Sequence, residues 1–167
     1  MGERLSKKDV EKIEKEIEER KLVTRHKLLE SVKEARAQGD LSENFEYHAA
    51  KREKNQNESR IRYLERMLRN AEVIEDESID DEAGLDKTVT VLFLDDQCEE
   101  TYRLVTSIRE DVLHGLVSIE SPVGRALIGH KAGETVQVQL PDGGGYGLEI
   151  LKVESLDNGD NDKIKKF

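Results

Sequence analysis

Residues 44–74 read NFEYHAAKREKNQNESRIRYLERMLRNAEVI and contain neither Pro nor Gly. Within them Tyr47, Ala50, Lys54, Asn57, Ile61, Leu64, Leu68 and Ala71 recur at alternating spacings of three and four. That alternation is the heptad period of a helix with one apolar seam, which must be covered by a second helix. Lys54 and Asn57 weaken the seam, and polar seam residues fix register at a cost in stability. Upstream, residues 7–37 also lack Pro and Gly. There Val10, Ile13, Ile17, Leu28, Val32 and Ala35 follow helical spacing, with a weak middle around Lys21 and Thr24. Gly39 stands between the two segments and suits a helix stop. Two such segments joined by a short turn predict an antiparallel helical hairpin. At about 1.5 Å per residue each arm spans roughly 45 Å, the dimensions of a probe or spacer that encloses no container.

Past the hairpin the pattern changes. IEDESIDDEAG (74–84) is acidic and marks the predicted boundary, with residues 78–87 read as a linker. From residue 88 the period becomes two. TVTVLFLD (88–95), ETYRLV (100–105), GLVSIES (115–121), ETVQVQL (134–140) and GYGLEILKVES (145–155) read as strands. PDGGG (141–145) reads as a hairpin turn, and PVGRALIG (122–129) as one short helix with Pro122 in its first turn. The expected fold is α+β: a coiled-coil hairpin over 1–77 and a small, mostly antiparallel sheet with one short helix over 88–155. Residues 156–167 read as a polar, loose tail.

Composition supports the elongated first half. Of 167 residues, 38% are charged and 35% apolar, and there is no Trp. Globular domains carry about 25% charged and 45–50% apolar residues. Residues 1–75 have a net charge of +1 and residues 76–167 of −11. Neither half carries the basic excess by which a protein binds duplex DNA on its own. The single cysteine, Cys98, excludes an internal disulfide and a disulfide-stapled secreted scaffold. The sequence opens without an apolar leader and holds no run of 18 apolar residues, so a soluble, cytoplasmic protein without a membrane span is expected.

Gly39-Asp40-Leu41-Ser42-Glu43-Asn44 falls at the predicted hairpin tip. Asp40 and Glu43 are close enough to share one ion, and one or two carboxylates suffice for a Mg²⁺ completed by water and phosphate. The same spacing also reads as a capping box, with Asp40 as N-cap and Glu43 at the third helical position. Placement at the end of a long arm favours delivery into a partner's site. The basic residues of the second segment, Lys51 and Arg52 among them, read either as an RNA or acidic-wall contact or as a solvated face with pairs such as Glu58–Arg62. Cys98 has acidic neighbours and reads as inert. No catalytic triad and no zinc spacing can be assembled.

GDLSENFEYHAAK (39–51), ESRIRYLERMLRNAEVI (58–74), VTVLFLDDQCEETYRLV (89–105) and SPVGRALIGHKAGETVQVQLPDG (121–143) closely resemble the bacterial GreA/GreB transcript-cleavage factors, nearer the GreA side. The resemblance covers roughly residues 8–155. It implies an FKBP-like C-terminal domain that docks on RNA polymerase, with Ser121 and Pro122 in the docking segment. It implies a coiled coil that enters the polymerase's secondary channel. It further implies that Asp40 and Glu43 help hold a Mg²⁺ shared with the polymerase, which then cleaves the extruded nascent RNA 3′ end. Arg36, Lys51 and Arg52 match positions where the family often carries cations near the tip. The factor would not be an enzyme alone, would hold no stable cofactor of its own, and would act as a monomer. Rival readings are an anti-cleavage paralogue in the same channel, a coiled-coil chaperone or adaptor, and a free-standing nuclease. Phe45 departs from the small residues common at its place, and the first helix lacks the usual large seam residues.

Overall fold

The structure is a computed structural model that describes residues 2–39, 44–155 and 162–166. It divides into two compact units, one built on residues 9–71 and one on residues 3–8 and 72–166. The division at Ala71/Glu72 lies upstream of the acidic stretch that the sequence marks as a boundary.

In the first unit α1 (Lys7–Glu19), a π-helical turn (Arg20–Thr24) and α2 (Arg25–Ala37) form one arm, and α3 (Phe45–Asn70) forms the other. Cross-arm partners run in opposite sequence order: Glu16 with Arg60, Arg20 with Asn57, and Ala35 with Asn44. The arms are therefore antiparallel. Ile13, Ala35, Tyr47, Ile61, Leu64 and Met67 are buried. Met67, three residues after Leu64, is buried, whereas Leu68, the expected seam residue, is half-buried.

The middle of the hairpin is polar. Asn57 is 3% exposed and Arg60 7%. Arg20 Nη1 donates to Asn57 Oδ1 at 2.9 Å, and Asn57 Nδ2 donates back to the Arg20 carbonyl at 3.3 Å. Glu16 Oε2 accepts from Arg20 Nε at 2.8 Å and Arg60 Nε at 2.9 Å. Burial pushes the Glu16 carboxyl up, but the bonds from Arg60 and Arg20 outweigh it and hold the group below its ordinary value. This layer accounts for the weak middle of the first arm. The π-helical turn follows it directly and leaves Leu22 and Val23 facing solvent, 68% and 45% exposed. One wide turn breaks a helix that the sequence pattern presents as continuous.

The second unit holds a five-stranded sheet, ordered β5-β4-β3-β7-β6. Its strands are β3 (Thr88–Phe93), β4 (Glu99–Val105), β5 (Leu116–Ser118), β6 (Thr135–Gln139) and β7 (Gly145–Glu154). Alternation puts Val89, Val91, Leu104, Val136, Val138, Leu148 and Ile150 into one apolar cluster, closed by Leu127 of α4 (Pro122–Leu127). Three of its four strand pairings are antiparallel, as expected, and the fourth, β4 with β5, is parallel. Two 3₁₀ turns, Ser107–Arg109 and Val112–His114, carry the chain back so that β5 runs parallel to the last three residues of β4, Arg103–Val105. A second small sheet pairs β1 (Arg4–Ser6) with β2 (Glu72–Ile74) in parallel. Residues 72–74 are therefore extended, although the sequence continues the helix through them.

The stretch read as a linker is folded onto this unit. Ala83 and Leu85 join the apolar cluster. Lys87, 7% exposed, donates to the carbonyls of Ile79 at 2.5 Å and Glu82 at 3.0 Å. Of the tail, residues 162–166 are seated on the domain: Lys165 N–H donates to the Ile108 carbonyl at 2.7 Å. Among the described residues no helix is long and apolar enough to cross a membrane.

Candidate functional site at the hairpin tip

α2 ends at Ala37, and the N–H of its C-cap Gln38 bonds the Ala35 carbonyl. Gly39 follows with φ +147°, a conformation that side chains resist, which leaves the turn to glycine. Asp40 and Glu43, the acids predicted for the tip, lie outside the described residues, as do Leu41 and Ser42. The chain returns at Asn44. Its Oδ1 accepts from the Tyr47 N–H at 2.9 Å and caps α3. Its Nδ2 donates to the Ala35 carbonyl on the opposite arm at 2.6 Å. One amide therefore closes the helix start and ties the two arms at the tip. This replaces the capping-box reading: the N-cap of α3 is Asn44, four residues after Asp40.

Directly below the cap, Tyr47 is buried to 9% exposure between the arms. The Arg36 guanidinium carbon stands 5.7 Å from its ring centroid and the Lys51 Nζ 6.0 Å. Both are within cation–π range. A hydrogen bond from Arg36 and the charges of Lys51 and Lys54 draw the Tyr47 phenol below its ordinary value. Tyr47, Lys51 and Lys54 sit at i, i+4 and i+7, so they share one face of α3. Arg36 and Lys51 are thus brought together. Arg52 is exposed and one residue out of phase with them. Lys54, which the sequence places both on the seam and among the basic residues of this segment, belongs to the cluster. Phe45, 86% exposed, is the first residue of α3.

Ser121 and Pro122 begin α4 in the other unit. The Ser121 hydroxyl donates to the Ser118 carbonyl at 2.6 Å and accepts from the Gly124 N–H at 3.1 Å. A Cβ at Gly124 would lie 2.0 Å from the Ser118 carbonyl oxygen, so glycine is required there. The motif's Ser, Pro and Gly are thus each used in building the turn. The contact-capable side chains beside it are exposed Arg125 and Ile128, which the sequence reading missed. Val112 and Leu113, 67% and 95% exposed on a 3₁₀ turn, were missed as well. Cys98 is exposed, and Asp96 pushes its thiol up, which keeps it a poor nucleophile. Among the described residues no group of three or more His, Cys, Asp or Glu could hold a metal ion.

Family profiles match most of the chain. The one described as "Transcription elongation factor, N-terminal" covers residues 3–73, and "Transcription elongation factor, GreA/GreB, C-term" covers residues 78–155. The chain is 47% identical to the transcription elongation factor GreA of Streptococcus pneumoniae, over 86% of this chain and 90% of that one. It is 43% identical to that of Staphylococcus saprophyticus, over 90% of this chain and 95% of that one. Among solved structures, the GreA factor homolog 1 of Thermus thermophilus aligns at 24% identity with TM-score 0.42, over 92% of this chain and 99% of that one.

Proposed function

Because the chain belongs to the GreA/GreB family of transcription elongation factors, we propose that it binds RNA polymerase and stimulates the polymerase's own cleavage of backtracked nascent RNA. The hairpin enters the secondary channel and presents Asp40 and Glu43 at the active site. The C-terminal domain docks outside through the α4 start at Ser121 and Pro122, with Arg125 and Ile128 as its exposed contacts. The protein acts as a monomer and is not a nuclease by itself.

The observation that carries this reading is the construction of the tip. Asn44, the residue after Glu43, ties both arms together, and Arg36, Lys51 and Lys54 gather around Tyr47 on the next turn. Cations gathered next in sequence to a pair of carboxylates suit an RNA end whose phosphates need neutralising and whose hydrolysis needs hard oxygen donors. Asp40 and Glu43 offer hard carboxylate donors too few for a complete shell, which fits a Mg²⁺ completed by the polymerase. That ion would stabilise developing charge during phosphodiester hydrolysis. The chain's own contribution is placement: the cap sets the tip, and the cations hold the RNA backbone near it.

RNA cleavage in a purified backtracked polymerase complex tests the reading. Wild type should release a 3′ RNA fragment, and Asp40→Ala/Glu43→Ala should not, while both bind polymerase. Tight binding by wild type without cleavage would point to an inhibitor of the same channel and overturn the proposal.

A further inference from the structure

The two arginines Arg103 of β4 and Arg109 of the first 3₁₀ turn have side chains 8% and 1% exposed. Asp86, ahead of β3, accepts from Arg109 Nη1 at 2.6 Å and Nη2 at 3.3 Å, and from Arg103 Nη1 at 3.4 Å. The second carboxylate is Asp162, its side chain 6% exposed. Asp162 Oδ2 accepts from Arg103 Nη1 and Arg109 Nη1, each at 2.8 Å, and Oδ1 accepts from Arg103 Nη2. Asp86, Arg103 and Arg109 belong to the folded body of the domain. Asp162 arrives on the chain's last segment, beyond the family-matched residues. Next to these ion pairs a cavity of about 650 Å³ opens, lined also by the acids Glu110 and Asp111 and by His114, Lys163 and Lys165.

We propose that Arg103 and Arg109 form an oxyanion-binding pocket whose built-in occupant is the chain's own C-terminal segment, held through Asp162 and displaceable by a phosphate or carboxylate supplied in trans. Two adjacent guanidiniums present parallel N–H donors that match either group. Taking Asp162 away removes one negative charge from a pair of nearly buried cations, a state that favours refilling by another oxyanion. A competitor supplied in trans works against a carboxylate carried on the same chain, for which effective concentrations are on the order of millimolar. A monovalent competitor should therefore act in the millimolar range.

Hydrogen exchange on the full chain tests this, with inorganic phosphate raised to about 50 mM, well above that range, against chloride at matched ionic strength. Protection of residues 162–166 should fall saturably with phosphate and not with chloride. Arg109→Gln should abolish the phosphate response. Asp162→Asn should lose that protection without any anion. It should then gain thermal stability saturably from phosphate, or from an added peptide of residues 156–167 with its native aspartate. The phosphate and peptide arms separate the two ligand sources. Equal responses to chloride and phosphate, or tail protection indifferent to both, would make the segment a permanent structural strap and overturn the proposal. The wild-type titration decides this even if a variant fails to fold.

Discussion

Midway along the hairpin the apolar interior gives way to a polar layer of Glu16, Arg20, Asn57 and Arg60; where β3 meets β7, the interior of the other unit is Val89, Val91, Leu148 and Ile150. The two interiors do different work. Apolar burial is non-directional and contributes about 25 cal/mol per Å², so the sheet gains stability from area. A polar layer contributes little net stability but is costly to mispair, because every unmet buried group carries a desolvation penalty. In the hairpin it rejects slipped registers. Under the proposed function register matters there because a slip along the arms would move the tip, whereas the sheet unit would only have to present a stable surface.

The comparison is broken most strongly by Leu148→Ala. Leu148 is 0% exposed in the apolar cluster, and its truncation should cost about 2–5 kcal/mol. Hydrogen exchange should show the loss in β3, β6 and β7 and leave the hairpin amides unchanged. Arg60→Ala should cost about 2 kcal/mol, below the 3–5 typical of a fully buried pair, because the Glu16 side chain keeps 26% exposure. Its effect should be confined to the arms. The double change Glu16→Leu/Arg60→Met sharpens the point: thermal stability should hold or rise, while NMR should reveal more than one arm register. Asn44→Ala should cost about 1 kcal/mol as a lost cap. Its larger signature should be fraying of the first turn of α3 in amide exchange.

Acid should have the smallest effect on the hairpin. The Glu16 carboxyl is held below its unfolded value of 4.5, so its contribution is full above that value and is lost as pH falls through the lower folded value. Asp162 follows the same sign from 3.8: burial pushes it up, but bonds from Arg103 and Arg109 outweigh that and hold it down. Circular dichroism melts between neutral pH and pH 3 should show no loss until the acid end. Glu16→Gln should flatten the hairpin's part of that loss.

Much of this was legible in the sequence where a period ran long enough. Both arms, all five strands of the larger sheet and the α4 start followed from spacing and turn residues. What escaped was short or distant. β1 and β2 are three residues each and pair across the whole hairpin, Arg4 with Glu72, so no window holds both. Ala83 and Leu85 are isolated apolar residues in an acidic run, and only the folded sheet shows why they are there. Asp162 meets Arg103 across 59 positions, a contact no local pattern announces. At the tip, Arg36 and Lys51 were legible as cations, but their convergence on Tyr47 was not, because Tyr47 read as a seam residue. Asn44 escaped as the cap because the acids on either side of Ser42 fit a capping box equally well.

The central claim is that the two units divide the labour, with the tip supplying chemistry and the sheet unit supplying attachment. A competition assay tests it most directly. Asp40→Ala/Glu43→Ala would be titrated into a backtracked polymerase complex whose RNA is being cleaved with wild-type factor. If the labour is divided, the variant should suppress cleavage progressively, reaching half at about equal concentration with wild type. A variant that leaves wild-type cleavage untouched at large excess would tie attachment to the tip acids themselves and contradict the account.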